Sequence, residues 1–311
     1  MIKSLFNLLV FPGFLFLVLT GLTFEWLDRK FLSRFQRRVG PPWYQPLADL
    51  IKLFSKEDLL PKNANDFLAA LLPLVSLAAV LTAGLYVPIA GYKAFSFEGD
   101  LIVIIFLMSV PTLAYYLAGI ISMGIYSILG GGRSLLQFFS YEVPLLIALS
   151  GPAILGGSWS VSTIMASQGN LGPFILFQPV GFVIAVVGLI GKLKRDPFDI
   201  PKATSEVVGG SLTEFSGPTL GFWNLVMDIQ AVIGIFLLID LYFGWTKMSH
   251  HFLSIIIFIL ECLIIVLILS GTSAIFARLR IDQLAGLGWR ILVPLALLQL
   301  GFIILMGIGY G

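Results

Sequence analysis

Four carboxylates in this sequence lie inside or at the edge of long apolar segments: Glu142, Asp228, Asp240 and Glu261. Removing an ionised carboxylate from water is costly, so an acid at such a place indicates a function, most often proton transfer. Burial favours the neutral form of a carboxyl group and moves its titration toward neutral pH. Several such acids in succession would form a proton relay.

Each of these acids also has a simpler interpretation. Asp240 lies close to the end of its segment, where a solvated helix cap explains it at least as well as a relay. Asp228 follows Asn224 by one helical turn, and a hydrogen bond to a neighbouring helix would explain it equally well. Glu142 and Glu261 have no Lys or Arg on their own segment to neutralise them, which favours a functional role.

The segments that carry these acids are predicted to cross a membrane. Hydrophobic residues make up 58% of the 311 residues and charged residues only 12%, whereas soluble domains have roughly 25% charged residues. A transmembrane helix needs about 20 mostly apolar residues. Eight segments qualify: 5–24, 68–90, 101–127, 141–165, 172–191, 224–244, 252–276 and 290–309. The sequence therefore predicts an all-α integral membrane protein with about eight transmembrane helices, forming a single membrane domain over residues 1–311.

The basic residues predict the orientation of these spans. Sixteen of the nineteen Lys and Arg residues fall in the odd-numbered loops, and only Lys3, Lys93 and Lys247 fall on the other side. Because positive loops stay in the cytoplasm, we expect a multi-pass protein of the plasma membrane with both termini outside.

Two of the predicted cytoplasmic loops, residues 25–67 and 192–223, are long enough to be structured. The first contains a short amphipathic segment that we expect to lie along the membrane surface. Its apolar face comprises Leu47, Leu50, Ile51, Leu53 and Phe54, and much of the rest is Asp49, Lys52 and Lys56. The aromatic and proline-rich run 41–46 before it looks like a docking surface for another protein.

Motifs of covalent chemistry and of cofactor binding are missing from the sequence. There is no P-loop and no GxGxxG after a strand, and Gly130–Gly132 predicts a helix break rather than a phosphate cradle. His250 and His251 have no further ligand set, so a structural role is favoured over a metal site. A single cysteine, Cys262, excludes an iron–sulfur cluster held by this chain. We expect no complete active site, no bound metal and no nucleic-acid partner.

Several stretches between about residue 25 and residue 295 resemble, in collinear order, one family of membrane proteins. The stretches are Asp28-Arg29-Lys30 with Arg34, Gln36, Arg38, Gly40 and Pro41; Gln45-Pro46-Leu47-Ala48-Asp49 with Lys52 and Lys56-Glu57-Asp58; Ser140-Tyr141-Glu142-Val143-Pro144; Arg195-Asp196-Pro197-Phe198-Asp199-Ile200-Pro201 with Ser205-Glu206 and Glu214-Phe215-Ser216-Gly217; and Arg280-Ile281-Asp282-Gln283-Leu284 with Gly288-Trp289-Arg290. Together they resemble the subunit 1 (H-type) membrane protein of respiratory complex I and its hydrogenase relatives.

The resemblance implies a joint between a membrane arm and a peripheral redox arm. It implies that buried acids relay protons or the coupling signal toward antiporter-like membrane subunits; the candidates are Glu142, Glu206, Glu214 and Glu261, to which we add Asp228. It also implies that the loops dock the redox subunits. The docking candidates are Asp28, Arg29, Arg34, Arg37, Arg38, Trp43, Gln45, Asp49, Lys52, Arg195, Asp196, Asp199, Arg280 and Asp282.

Two departures from the quinone-reducing members favour another branch of the family. The motif from Gly40 to Pro46 is shorter than theirs, and Lys202 and Thr204 stand where they have acids. The compact form resembles membrane-bound energy-converting [NiFe] hydrogenases and their sulfane-reducing relatives. That branch implies a ferredoxin-dependent complex, with Fe–S clusters and a NiFe centre on hydrogenase-like large and small partner subunits and no cofactor in this chain. A quinone-reducing complex is the alternative.

Two other classes of membrane protein also remain open. A secondary transporter would be expected to show paired half-repeats with broken helices, and no such internal symmetry is visible. A passive membrane anchor would leave Glu142 and Glu261 without an explanation.

Overall fold

The computed structural model describes residues 2–61, 64–244 and 251–306, apart from the side chains of residues 2–4, 204, 205, 251 and 306. Several residues used in the sequence analysis lie outside this description: Lys62, Lys247, His250 and residues 307–309 of the last predicted span, together with the side chains of Lys3, Thr204, Ser205 and His251. The α-helices in chain order are α1 (Ile2–Leu9), α2 (Phe14–Phe35), α3 (Gln45–Phe54), α4 (Asp66–Tyr86), α5 (Asp100–Ile121), α6 (Ile125–Gly156), α7 (Val161–Leu171), α8 (Pro179–Leu193), α9 (Thr204–Val207), α10 (Gly217–Tyr242), α11 (His251–Ile275), α12 (Ile281–Gly286) and α13 (Val293–Met306). Short 3₁₀ turns cover Phe174–Leu176 and Gly210–Leu212, and a π-helical turn covers Leu287–Leu292.

Seven helical stretches in the described ranges are long and apolar enough to cross a membrane. They contain α2, α4, α5, α6, α10 and α11, and the seventh joins α12 to α13 through the π-helical turn. The eighth apolar helix, α8, has 15 residues and is about 22 Å long. The prediction of an all-α, multi-pass membrane protein is confirmed, with one span shorter than expected.

The first predicted span, 5–24, begins where the first candidate span of the structure begins, at Leu5, but it ends too early. The helix is interrupted between Leu9 and Phe14, and α2 then continues to Phe35 instead of ending near residue 24. Three docking candidates, Asp28, Arg29 and Arg34, therefore lie in a helix and not in a loop. A prediction that counts apolar residues places the end of a span at the first charged residues. Long basic side chains at a helix end, however, can reach polar surroundings while the backbone stays helical.

The predicted helix break at Gly130–Gly132 is also wrong, because all three glycines lie inside the 32-residue helix α6. At Gly130 a Cβ would come 2.5 Å from the Cα of Gly210, so the glycine lets two backbones approach. Arg133 consequently lies on α6 rather than in a loop. The predicted span 141–165 instead covers the second half of α6, a left-handed Gly157 and the start of α7.

α10 is the central helix of the fold. It packs against α2, α3, α4, α7, α8 and α11, and most of its side chains are buried. It begins at Gly217, seven residues before the predicted span at 224, so the second long loop is shorter than expected. Large apolar side chains such as Phe106 and Leu298 point away from the bundle and are exposed, as expected for helices surrounded by lipid.

Pro144 lies within α6, two residues after Glu142. A proline has no N–H to donate to the carbonyl four residues earlier, which here is that of Ser140. Gly288 of the π-helical turn packs against this carbonyl oxygen.

The two long loop regions meet at one end of the bundle. In the first, α3 packs against α2 and α10, and the rings of Phe54 and Phe222 are in edge contact at 5.1 Å. Trp26 Nε1 donates to the carbonyl of Pro41 at 3.2 Å and so fixes the segment before α3 to α2. The second contains α9 and the 3₁₀ turn Gly210–Leu212, which packs against α5 and α6.

Candidate functional site

Glu142 forms a buried ion pair with Lys192. Lys192 Nζ lies 2.8 Å from Glu142 Oε1 and 2.9 Å from Oε2, and the two side chains are 2% exposed for the lysine and 8% for the glutamate. Glu142 lies on α6 and Lys192 on α8, two helices that pack side by side. A buried charge is tolerated where a partner of opposite charge and good geometry compensates its desolvation.

Ser109 of α5 completes this site by donating to Glu142 Oε1 at 2.5 Å. The carboxylate also borders a groove of about 520 Å³ between α5 and α6, whose wall includes Ser109 and Phe138. One side of the Glu142 site is therefore held by a cation, and the other faces an open groove.

Sequence reasoning missed Lys192, which it assigned to the fifth loop as a topology signal. Glu142 has no cation on its own span, but the structure provides one from α8. The available signal was position: Lys192 directly follows the predicted span 172–191, so a helix that continues two residues beyond that span, as α8 does, can bury it.

Glu206 and Glu214 lie at the start of α6, away from Glu142. Glu206 forms an ion pair with Arg133 of α6 and is half exposed. Glu214 lies against Gly124, the residue that precedes α6. The structure thus places both acids at the loop end of the helix that carries Glu142.

Asp228 belongs to a cluster of charges between α2, α10 and the 194–203 segment. The groups that act on it electrostatically are Glu25, Arg195, Arg29 and Lys202. It is partly buried and packs against the backbone at Gly21. The cluster connects Asp228 to the docking candidates rather than to Glu142.

Asp28 joins three elements of this loop end. Its Oδ2 lies 2.9 Å from Arg195 Nη1, and its Oδ1 accepts from Ser270 Oγ of α11 at 2.6 Å. Asp196 follows Arg195, and its carbonyl accepts from Ser273 of α11 at 3.1 Å. The motif after α8 is therefore tied to α2 and α11 together.

Arg29, one residue later, holds α3 in place. It pairs with Glu25 of its own helix and with Asp49 of α3, at 2.8 Å for Asp49. Gln45 also donates to Asp49 at 2.9 Å. The hydrogen bond from Arg29 lowers the pKa of the Asp49 carboxyl below its ordinary value, and Gln45 lowers it further.

Asp199 is anchored from the segment after α11. Arg278 Nη2 lies 2.8 Å from its Oδ2. Burial raises the pKa of Asp199 above its ordinary value, while the nearby Lys202 and Arg278 oppose the shift. Arg280 and Asp282 form an exposed pair at 3.3 Å. Arg133, Glu206 and these last residues line a polar cavity of about 500 Å³.

The remaining docking candidates lie at the surface. Trp43 is 73% exposed, and its ring is in edge contact with Tyr44. Arg34, Arg37, Arg38 and Lys52 are also exposed. The structure thus divides the docking candidates into an internal ion-pair network, which fixes the loops, and an outer basic and aromatic surface.

Asp240 on α10 and Glu261 on α11 are two further buried acids. Asp240 is 1% exposed, so the solvated-cap interpretation is wrong. It lies near its helix end, but α7 covers it: Gln168 donates to the main-chain carbonyls of Asp240 and Leu241 at 2.8 and 3.1 Å. Glu261 is also buried. Neither acid has an ion pair among the described residues.

Within the described ranges, no group of three or more His, Cys, Asp or Glu side chains is arranged to hold a metal ion. The expectation that this chain carries no cofactor stays a prediction, as does the structural role of the histidine pair.

Comparisons with known proteins agree with these features. The family model described as NADH dehydrogenase matches residues 7–304. The NADH-quinone oxidoreductase H subunit of Dehalococcoides mccartyi is 36% identical over 92% of this chain and 82% of the relative. The H subunit of the Thermomicrobium roseum enzyme is 34% identical over 96% of both chains. In fold, the chain is similar to one in the structure of the membrane-bound sulfane sulfur reductase, an archaeal respiratory membrane complex, with a TM-score of 0.87, 24% identity and coverage of 97% and 98%. The family resemblance seen in the sequence is therefore confirmed, and the chain belongs to the NADH dehydrogenase family of membrane proteins that includes these H subunits.

Proposed function

We propose that this chain is the joint of a redox-driven ion pump: it docks the peripheral electron-transfer arm and passes the coupling signal into the membrane. The observation that carries the proposal is the Glu142–Lys192 pair, buried between two helices that begin or end among the docking loops. The names of the relatives, subunits of an oxidoreductase and of a respiratory membrane complex, support the same role.

The Glu142 site is suited to switching. The carboxylate is stable as an anion only while Lys192 is positively charged and close, because each partner compensates the other's desolvation. In the proposed relay, a charge or displacement that separates the pair leaves Glu142 without its counter-charge, and a proton passed to Glu142 takes the place of Lys192. The groove beside Ser109 then offers a side on which a neighbouring membrane subunit could exchange that proton.

Helix α6 provides the physical connection to the loops. Its first turns carry Arg133, paired with Glu206, and lie beside Glu214. Glu142 is nine residues further along the same helix. A rearrangement of the docking loops during electron transfer would therefore act on the element that positions Glu142.

For the partners, we propose hydrogenase-like large and small peripheral subunits with Fe–S clusters and a NiFe centre, and antiporter-like membrane subunits. The compact motif from Gly40 to Pro46 and the basic Lys202 favour a ferredoxin-dependent, H₂-evolving or sulfane-reducing complex. The alternative, a quinone-reducing complex, is favoured by the names of the relatives in Dehalococcoides and Thermomicrobium. In either case we expect the loop end to face the cytoplasm.

The coupling role is tested in the intact complex, reconstituted into vesicles, with Glu142→Gln. We expect electron transfer to continue and ion pumping to be lost. Glu98→Gln is the matched control, since Glu98 is an exposed acid outside the helices, and it should pump normally. Normal pumping in Glu142→Gln would refute the coupling role and leave a passive anchor.

The branch is tested by the metal content of the complex, purified through a tag on this chain. About one nickel per complex together with iron would support the hydrogenase branch. Iron without nickel would exclude it, and assays with sulfane sulfur and with quinone would then separate the other two branches.

A further inference from the structure

The N-terminus of helix α8 carries a buried side-chain amide, that of Gln178, which is 0% exposed. The main chain of this residue is satisfied: its N–H donates to the carbonyl of Phe174 at 2.9 Å, and its carbonyl accepts from the N–H of Phe182 at 3.1 Å. Its side chain is not, because neither atom of the amide has a hydrogen-bond partner among the described residues. A buried amide of this kind needs a partner to offset its desolvation.

This amide is directed toward α6. A Cβ on Gly151 of α6 would come 2.4 Å from Gln178 Oε1, so the glycine leaves the space in which the amide lies. The next turn of α8 adds a donor to the same place. Gly181 is buried, and as the third residue of the helix it has an N–H without an acceptor inside the helix.

Gln299 of α13 brings a second amide to this helix end. A Cβ on Gly181 would come 2.7 Å from Gln299 Nε2 and 3.2 Å from Tyr242 Oη. Gln299 Oε1 has no hydrogen-bond partner among the described residues. The Tyr242 hydroxyl donates to the carbonyl of Ala148 at 2.8 Å and keeps lone pairs that can accept. Two amides, a backbone N–H and a hydroxyl oxygen are thus gathered where α6, α8 and α13 meet.

Gln178, Gly181 and Gln299 line a cavity of about 10 Å³ between these three helices. That volume is close to the smallest that holds one water molecule. Among the described residues, no Asp, Glu, Lys or Arg lines the cavity, so an ion would have no counter-charge there. A water molecule both donates and accepts, and it can serve the amide donors and the amide oxygens together.

We propose that one water molecule is bound at the N-terminus of α8, where it bridges the side-chain amides of Gln178 and Gln299. The bridge ties α8 to α13 beside α6 and satisfies the polar groups that the helix end would otherwise bury. This site lies at the opposite end of α8 from Lys192. It goes beyond the proposed coupling function and does not depend on it.

The first test is cryo-electron microscopy of the intact complex in lipid nanodiscs, at a resolution that shows ordered water molecules. We expect one isolated density within hydrogen-bond distance of the side-chain amides of both Gln178 and Gln299. A direct hydrogen bond between the two amides, density in contact with only one of them, or no density at all would overturn the proposal.

The second test compares the thermal unfolding midpoints of the complex with Gln178→Leu, Gln299→Leu and both substitutions. Each single variant removes one side of the bridge and leaves the other amide buried without a partner, so the midpoint should fall. Because both amides hold the same water molecule, the double variant should lose less than the sum of the two single losses. The matched control is Gln36→Leu, since Gln36 is exposed at the end of α2, and it should unfold like the wild type.

Strictly additive losses would mean that the two amides act separately, which contradicts a shared water molecule. If a leucine variant does not assemble, the wild-type density alone decides. Neither measurement involves electron transfer or pumping, so its outcome is independent of the coupling test.

Discussion

Two buried acidic sites can be compared: Glu142 on α6, and the acids Asp240 and Glu261 on α10 and α11. They are buried to a similar degree, but they differ in the hydrogen-bond donors and cations that surround them. Glu142 is 6% exposed, Asp240 1% and Glu261 8%. Glu142 has a bidentate lysine and a serine as donors, while the described residues offer the second site no donor for three of its oxygens. The difference teaches that burial alone does not determine how an acid is compensated; what matters is which side chains the neighbouring helices place beside it.

The largest loss of stability is expected from replacing Lys192, the lysine that pairs with Glu142. Lys192→Met leaves Glu142 buried without a counter-charge, and breaking a buried pair in this way costs about 3–5 kcal/mol. Thermal unfolding of the purified complex measures the loss. The double variant Lys192→Met with Glu142→Leu should recover most of it, because both charges are then absent. If the double variant were as unstable as the single one, the pairing would not be the cause.

A smaller loss of stability is expected when one acid at each site is replaced by its amide. The difference between the two losses compares the two sites directly. Glu142→Gln leaves Lys192 charged and buried without its partner, whereas Asp240→Asn removes a carboxyl group whose oxygens have no partner among the described residues. We expect the two variants to differ by about 2 kcal/mol in the free energy of unfolding, with Glu142→Gln the less stable. Equal losses in denaturant titrations would mean that Asp240 is ionised and compensated like Glu142.

Lys194 provides a third kind of buried charge, a cation with an aromatic ring as its neighbour. Its Nζ lies 4.3 Å from the centre of the Tyr115 ring. Burial, assisted by the nearby Lys202 and Lys192, lowers the pKa of Lys194 from 10.5 to about 7.

Between these two pKa values the unfolded chain holds a proton on Lys194 that the folded chain has lost, so the stability of the fold should rise with pH through this window. Lys194→Met should be more stable than the wild type at pH 7 and should lose this dependence. Parallel pH profiles of the two proteins would contradict the assignment.

The smallest change in stability is expected at the Arg29–Asp49 pair, because water competes for hydrogen bonds with both partners. Because Arg29 lowers the pKa of Asp49 below 3.8, the pair stabilises the fold fully above that ordinary value and less as the pH falls through the lowered one. Both side chains are about 40% exposed, so the loss should be small. Asp49→Asn should abolish it, as judged by the protection of α3 from proteolysis in acid. The same acid sensitivity in the variant would exclude this pair as its origin.

The span architecture could be predicted because eight long apolar runs and the clustering of basic residues are properties of the sequence alone. The span limits could not, since α2 carries Asp28 and Arg29 within its last turns and α6 continues through three glycines. In both places tertiary contacts outweigh local signals: Arg195 and Asp49 pair with the charges of α2, and the 3₁₀ turn at Gly210 packs on the glycines.

The partners of the acids were equally beyond the sequence. Lys192 reaches Glu142 from fifty positions away, and periodicity does not show which helices are neighbours. Asp240 looked like a cap because it is near the end of α10, but α10 is central and Gln168 of α7 closes over that end. The sequence alone shows which residues are acidic and which segments are apolar, but finding the partners of the acids required the packing.

Pro144 gives α6 a mechanical property. A helix of 32 residues would be a rod about 48 Å long, but the hydrogen bond that Pro144 cannot make to Ser140 makes this the point where α6 is expected to bend most easily. Glu142 lies at that point, with Arg133 on the part of α6 toward the loops. Because Lys192 belongs to a different helix, we expect any change in the bend of α6 at this point to alter the distance between the two charges.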